Sequence, residues 1–166
     1  MQKIFFDHQK FSTQKFGGIS RYFANIIESI KEDPNFSYLL GVVNSNNHYI
    51  QNEKQFLNGG IFNKFIQSEY GYRKFKLNEY YCKYLLKQNN FDVFHPTYYD
   101  PYFLKHLKKP YVITVHDMIY ELYPHYFEAA DKFVVHKEQV ICKADHVIVI
   151  STSTKNDLQR FYNIAD

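Results

Sequence analysis

Five short apolar runs alternate with segments of helical periodicity along this chain. That alternation constrains the fold more than any other feature. The runs are KIFF at residues 3–6, YLLGVV at 38–43, DVFH at 92–95, YVITV at 111–115 and HVIVI at 146–150. Each has strand length, and the longer ones are apolar throughout rather than at every second residue, as in a sheet covered on both faces. From Ile19 to Lys31, residues Ile19, Tyr22, Phe23, Ile26, Ile27 and Ile30 recur at spacings of three and four. They form one face of a helix that Pro34 stops. Residues 73–88 predict a second helix with Leu77, Tyr81, Tyr84 and Leu85 on one side. Asp100 reads as an N-cap with Pro101 in the first helical position. Phe127–Lys143 and Ser151–Tyr162 read as the last two helices. Residues 7–16 read as a loop, and residues 44–72, rich in Asn and Gln, as a long connection. The expected fold is α/β: a Rossmann-like parallel sheet with helices on both faces, joined by right-handed crossovers. Residues 1–166 have the length of a single domain.

Composition excludes several function classes. Hydrophobic residues make up 45% of the chain, a globular proportion. No apolar run approaches the roughly 20 residues of a membrane span. The start, MQKIFFDHQKF, predicts no secretory signal peptide, because charges follow a very short apolar stretch. Cys82 and Cys142 form neither a disulfide framework nor a zinc knuckle, so a reducing, cytoplasmic setting is expected. The net charge of +3 is too weak to argue for nucleic acid. Phe and Tyr number 16 each and Trp is absent. A bias toward A/T-rich codons accounts for this aromatic excess more simply than a special function does.

In an open parallel sheet, ligands bind beyond the carboxyl ends of the strands. Asp7 and His8 follow the first run, ahead of Gly17 and Gly18. His95, Thr97, Tyr98, Tyr99 and Asp100 follow DVFH, His116 and Asp117 follow YVITV, and Ser151 to Ser153 follow HVIVI. Gly17 and Gly18 directly before a helix allow close backbone approach to a phosphate or carboxylate. The ordinary alternative is a loop that merely needs glycine. The dinucleotide fingerprint GxGxxG is absent, and no acidic residue ends the second run to hold a ribose, which counts against NAD. His116 reads equally as a proton-handling or hydroxyl-binding imidazole and as a strand-end histidine satisfied by a carbonyl. No pair among the eight histidines has metal-ligand spacing, so no metal is expected. Arg73, Lys74, Lys76, Lys83 and Lys87 among aromatics suit an anionic membrane surface. The commoner case for such a stretch is a helix packed on the sheet with its lysines in water.

Four motifs, GGISRY, FDVFHPTYYDP, YVITVHDMIYELYP and ADHVIVISTSTKNDLQ, together resemble family 4 glycosyltransferases, especially mannosyltransferase-like bacterial members. They stand in the family's order and gaps over nearly the whole chain; residues 44–72 match least. The resemblance implies the N-terminal half of a GT-B enzyme, two Rossmann-like domains across a cleft, that retains anomeric configuration without a metal or other cofactor. The nucleotide-sugar donor is then held mostly by a C-terminal domain absent from this chain, which leaves this half inactive alone. The acceptor is a glycan or lipid-linked glycan of cell-surface polysaccharide, met in the cytoplasm or at the inner membrane face. Residue by residue, the resemblance places Gly17 and Gly18 near the donor phosphates and His116 near the transferred sugar. Asp117 orients the loop, Tyr98 and Tyr99 line the acceptor side, and Arg21 takes a less defined binding position. Ser20 stands where many relatives carry Gly. Two competing readings are a stand-alone acceptor-glycan-binding module without catalysis and a different Rossmann-type nucleotide binder.

Overall fold

The computed structural model describes residues 1–53, 71–127 and 130–164. The first half runs β1 (Gln2–Phe6), α1 (Gln9–Thr13), α2 (Gly18–Glu32), β2 (Phe36–Leu40), α3 (Gly71–Gln88) and β3 (Val93–His95). The second runs β4 (Val112–Val115), α4 (Ile119–Leu122), α5 (Ala130–Cys142), β5 (His146–Val149) and α6 (Thr152–Tyr162). Short 3-10 turns lie at His48–Ile50, Pro101–Phe103 and Pro124–Tyr126.

All described strand pairs are parallel. β1 pairs with β2 on one side and β3 on the other, and β4 pairs with β5. A parallel bridge between Phe94 and Tyr111 joins the two groups, with Phe94 N donating to Pro110 O at 3.0 Å. The sheet order is therefore β2-β1-β3-β4-β5. The order reverses between β1 and β3, where an open α/β sheet forms its ligand crevice.

The continuous apolar runs are explained by burial on both faces. Phe5 and Phe6 point to opposite faces, yet both are 0% exposed. Phe5 meets Phe94 at 5.0 Å between ring centroids, within a core shared with Leu86, Ile113 and Val140. Phe6 meets Phe23 at 6.1 Å, within a core shared with Phe11, Ile27 and Leu40. The α2 face is as its spacing predicts: Phe23, Ala24, Ile27 and Ile30 are buried. Asp33, held extended by the following Pro34, ends the helix.

Several elements differ from expectation. Residues 7–16 are not all loop, because α1 forms within them; Phe11 is its one buried apolar residue, so no periodicity announces it. β2 lies two residues earlier than its apolar run, because register with β1 pairs Gln2 with Phe36 and Phe6 with Leu40. The helix expected from Phe127 is described from Ala130, after the 3-10 turn at Pro124–Tyr126. α3 is rotated relative to its predicted face. Asn78, Glu79, Cys82 and Leu86 point inward, whereas Tyr84 is 56% exposed. The Asn78 amide decides this: its oxygen accepts from Val43 N (2.8 Å) and Asn44 N (3.1 Å), and its nitrogen donates to Asn44 O and Ser12 Oγ. The expectation for residues 44–72 falls mostly outside the described residues.

Gly41 continues the β1 ladder, its N–H donating to Phe6 O at 2.8 Å. An added Cβ would overlap Cys82 Sγ and come within 2.9 Å of Phe5 Cε2. Both neighbours are fully buried and cannot give way freely. Gly41→Ala is therefore expected to destabilise by about 1–3 kcal/mol through overpacking. A urea-midpoint comparison checks this; an unchanged midpoint contradicts it.

Candidate functional site

The crevice is pinned by a buried carboxylate. Asp7, at the end of β1, is 0% exposed. Its Oδ1 accepts from Thr97 N (2.8 Å), Thr97 Oγ1 (2.7 Å) and Gln9 N (3.3 Å). Its Oδ2 accepts from Gln9 Nε2 (2.8 Å) and the Tyr102 hydroxyl (3.2 Å). Burial raises its pKa, while the Thr97 and Gln9 donors favour the charged form and oppose that rise. Asp7 thus ties the β1 end to the loop after β3. His8 is equally buried, with Nδ1 3.0 Å from Ser12 Oγ and its ring 4.7 Å from Phe75. Burial lowers its pKa to about 3, so it is a neutral core imidazole.

Gly17 and Gly18 open α2. Gly17 adopts φ 176° and ψ 150°, extended backbone available to any residue. A Cβ there would lie 2.5 Å from Gln14 Cδ, whereas one on Gly18 would meet nothing within 4 Å. The Gln14 side chain covers part of the helix start, because Ser20 N donates to its Oε1 at 3.2 Å. Arg21 is exposed in the first turn, its amide donating to Gly17 O.

His95 and His116 end adjacent strands but live differently. His95 is 6% exposed, and its Nε2 lies 2.9 Å from Thr114 Oγ1, which lies 3.3 Å from the Tyr22 hydroxyl. Burial lowers its pKa to about 4, with His116 adding to the shift. His116 is half-buried. Tyr22 meets its ring edge-on at 5.3 Å, with Phe23 at 6.2 Å. Its Nε2 is buried with no hydrogen-bond partner among the described residues. Burial lowers its pKa below the ordinary range; Asp117 pulls it back up, and Lys10 and Lys137 push it further down. A neutral imidazole with one uncommitted nitrogen therefore stands at the crevice.

The neighbouring loop residues divide between core and rim. Tyr99 is 4% exposed; its hydroxyl accepts from His116 N and donates to Thr114 O, each at 3.3 Å. It braces the His116 backbone from behind. Tyr98 is half-buried at the rim, and the Lys10 ammonium lies 3.3 Å from its ring centroid. Burial lowers the Lys10 pKa to about 8, and Asp117 opposes that shift. Asp117 Oδ1 accepts from Ile119 N at 3.2 Å, turning the chain into α4. The structure thus gathers Tyr98, Tyr99, His116 and Asp117 at one end of the sheet, beside Lys10, and puts Arg21 in the first exposed turn of α2. Hollows lie elsewhere too: one of about 430 Å³ is lined by Tyr22, Asn25, Ile26, Ser29, Ile30, Asp33 and Phe36 on the outer side of α2.

The sequence model of Glycosyltransferase Family 4 matches residues 16–166. The chain belongs to glycosyltransferase family 4. No curated protein matches it. The matched span runs from the residue before Gly17 through α6, so it includes Gly17, Gly18, His116 and Asp117 and omits β1 and α1. A glycosyltransferase-type function and an α/β Rossmann-like fold follow from the family. Among the described residues, no group of His, Cys, Asp or Glu could hold a metal ion. No described helix is long and apolar enough to cross a membrane. Sequence reasoning missed Lys10, Thr114 and Lys137 in this transferase domain. Lys10 lay in a presumed loop, and Thr114 and Lys137 have no signature beyond their position behind strand ends.

Proposed function

We propose that this chain is the acceptor-side domain of a retaining hexosyltransferase. It would transfer a sugar from a nucleotide sugar to a glycan or lipid-linked glycan in cell-surface polysaccharide synthesis. The observation that carries this reading is the uncommitted, buried Nε2 of a neutral His116 at the switch-point crevice of a family 4 domain. Glycosyl transfer builds positive charge at the anomeric carbon and negative charge on the departing diphosphate. A neutral imidazole can hydrogen-bond a sugar hydroxyl as charge develops, without the repulsion an imidazolium would bring. Lys10 and the amides that open α2 at Gly17 and Gly18 would favour the diphosphate side. Tyr98 offers a ring face to an acceptor sugar, Asp117 shapes the loop beneath it, and Arg21 reaches from α2. No metal or other cofactor takes part in this scheme. A second, C-terminal domain would hold the nucleotide. Tyr72 and Tyr80, 73% and 68% exposed on the basic helix α3, fit a contact with anionic lipid at the cytoplasmic membrane face.

The test is a footprint by NMR on the isotopically labelled chain. Titration with a mannose-containing oligosaccharide is expected to move the signals of Tyr98, His116 and Asp117. UDP and GDP are expected to bind weakly, with shifts near Gly17 and Gly18. Tight binding of NAD, or shifts confined to a separate hollow lined by Tyr120, Pro124, Val135 and Tyr162, would overturn the reading.

A further inference from the structure

Lys137, on α5, is 1% exposed. Its ammonium donates to the Asp117 carbonyl oxygen at 2.6 Å and to Glu121 Oε2 at 3.0 Å. It also lies 5.4 Å from the centre of the Tyr99 ring. The Tyr162 hydroxyl donates to the other Glu121 oxygen, so the carboxylate is matched on both sides. Burying an ammonium is costly, and a well-packed apolar pair commonly serves stability as well as a buried ion pair does. An apolar pair cannot, however, grip a carbonyl oxygen. The gripped carbonyl belongs to the residue after His116. From the other side, the Tyr99 hydroxyl accepts the His116 amide and is itself anchored on Thr114 O. The two-residue turn is therefore clamped at its first N–H and its last C=O, by two buried side chains in contact with each other. Between the clamps, the half-buried imidazole carries a buried Nε2 with no hydrogen-bond partner among the described residues; His8 Nε2 is also unpartnered, but that ring is 0% exposed in the core.

We propose that Lys137 is a positioning residue for His116: it fixes the His116–Asp117 turn through the Asp117 carbonyl and so sets where the imidazole stands. The proposal rests on the reading of His116 as the functional group of the crevice. Its test uses no substrate, so it stands or falls separately. The charged groups that act on His116 are Asp117, Lys10 and Lys137, with His95 and Tyr22 close by.

The experiment compares Glu121→Gln with the double variant Lys137→Met/Glu121→Gln, both in the labelled full chain. Both lack the carboxylate, so neither buries an unpaired negative charge; the double variant also loses the buried ammonium and with it the grip on Asp117. Glu121→Gln is expected to leave the His116 titration midpoint and amide exchange close to those of the unaltered chain. The double variant is expected to raise the midpoint by roughly half a pH unit or more, as a cation leaves and water reaches the ring. Its His116 amide should exchange at least about tenfold faster. Ile50→Ala, a core truncation in the other cluster, serves as the destabilised control and should move neither readout. Loss of the cation alone raises the midpoint, so the amide exchange carries the decision: a folded double variant whose His116 amide exchanges as in Glu121→Gln would overturn the proposal. If the double variant does not fold, Lys137→Gln/Glu121→Gln carries the same comparison: its shorter reach loses the carbonyl, so the His116 amide should again exchange faster, and unchanged exchange overturns the proposal.

Discussion

In an assay of glycosyl transfer, His116→Ala is expected to lower turnover by about 10²–10³-fold, the usual loss when one preorganised donor to developing charge is removed. That corresponds to about 2.7–4 kcal/mol of transition-state stabilisation. The KM for acceptor should change much less, because the loss concerns a contact that strengthens only as charge develops. The ring is half-buried at the crevice edge, beside Tyr22 and Phe23, so the variant is expected to fold. His116→Gln keeps a hydrogen-bonding nitrogen of similar reach and should recover part of the rate. Turnover within a factor of about three in His116→Ala, with the fold intact, would sink the catalytic role.

Acidification from pH 7 to pH 5 is expected to cost the domain about 2–4 kcal/mol of folding stability. The sign follows from His8 and His95. Burial holds their folded pKa values at about 3 and about 4, below the unfolded value near 6.5. Between those limits the unfolded chain binds more protons than the folded one. The stability these neutral rings allow is therefore complete above pH 6.5 and is lost as pH falls. At pH 5 each unfolded histidine contributes about 2 kcal/mol toward unfolding. Asp7 acts the other way, because burial raises its carboxyl and the folded state takes up that proton sooner; this offsets part of the loss. Urea midpoints at the two pH values measure the net effect. Equal stability at pH 5 and pH 7 would contradict the burial of these two rings as neutral groups.

The parts of the fold legible in the sequence are those governed by apolar burial. KIFF and YVITV read as strands because their side chains are covered on both faces, which continuous apolarity alone signals. The α2 face was legible because Phe23, Ile27 and Ile30 make it apolar at helical spacing. What could not be read is where polar side chains are buried. Asn78 turned α3 because its amide satisfies the backbone at Val43 and Asn44, a partnership between residues about 35 positions apart. Asp7 reads in the sequence as a ligand-edge carboxylate and Lys137 as a surface charge; only Thr97, Gln9, Glu121 and the Asp117 carbonyl make their burial possible. The same logic divides the candidate site. The strand-end rule found His116 and Asp117, and the tyrosine pair was visible but not its division. Tyr99 packs into the core and braces, while Tyr98 stays at the rim under Lys10. Lys10 was hidden because α1 is anchored by tertiary contacts, among them its own amide donating to Thr97 Oγ1.

A transfer assay with UDP- and GDP-hexoses and a lipid-linked glycan mixture decides between chemistry and binding alone. Nucleoside-diphosphate release and product mass would be read together. Transfer should give diphosphate release that depends on acceptor, a product heavier by one hexose with the donor's anomeric configuration, and the same yield with and without chelator. Acceptor binding at the His116 crevice with no diphosphate release from any donor would contradict it, and would leave a glycan-binding module on a transferase scaffold.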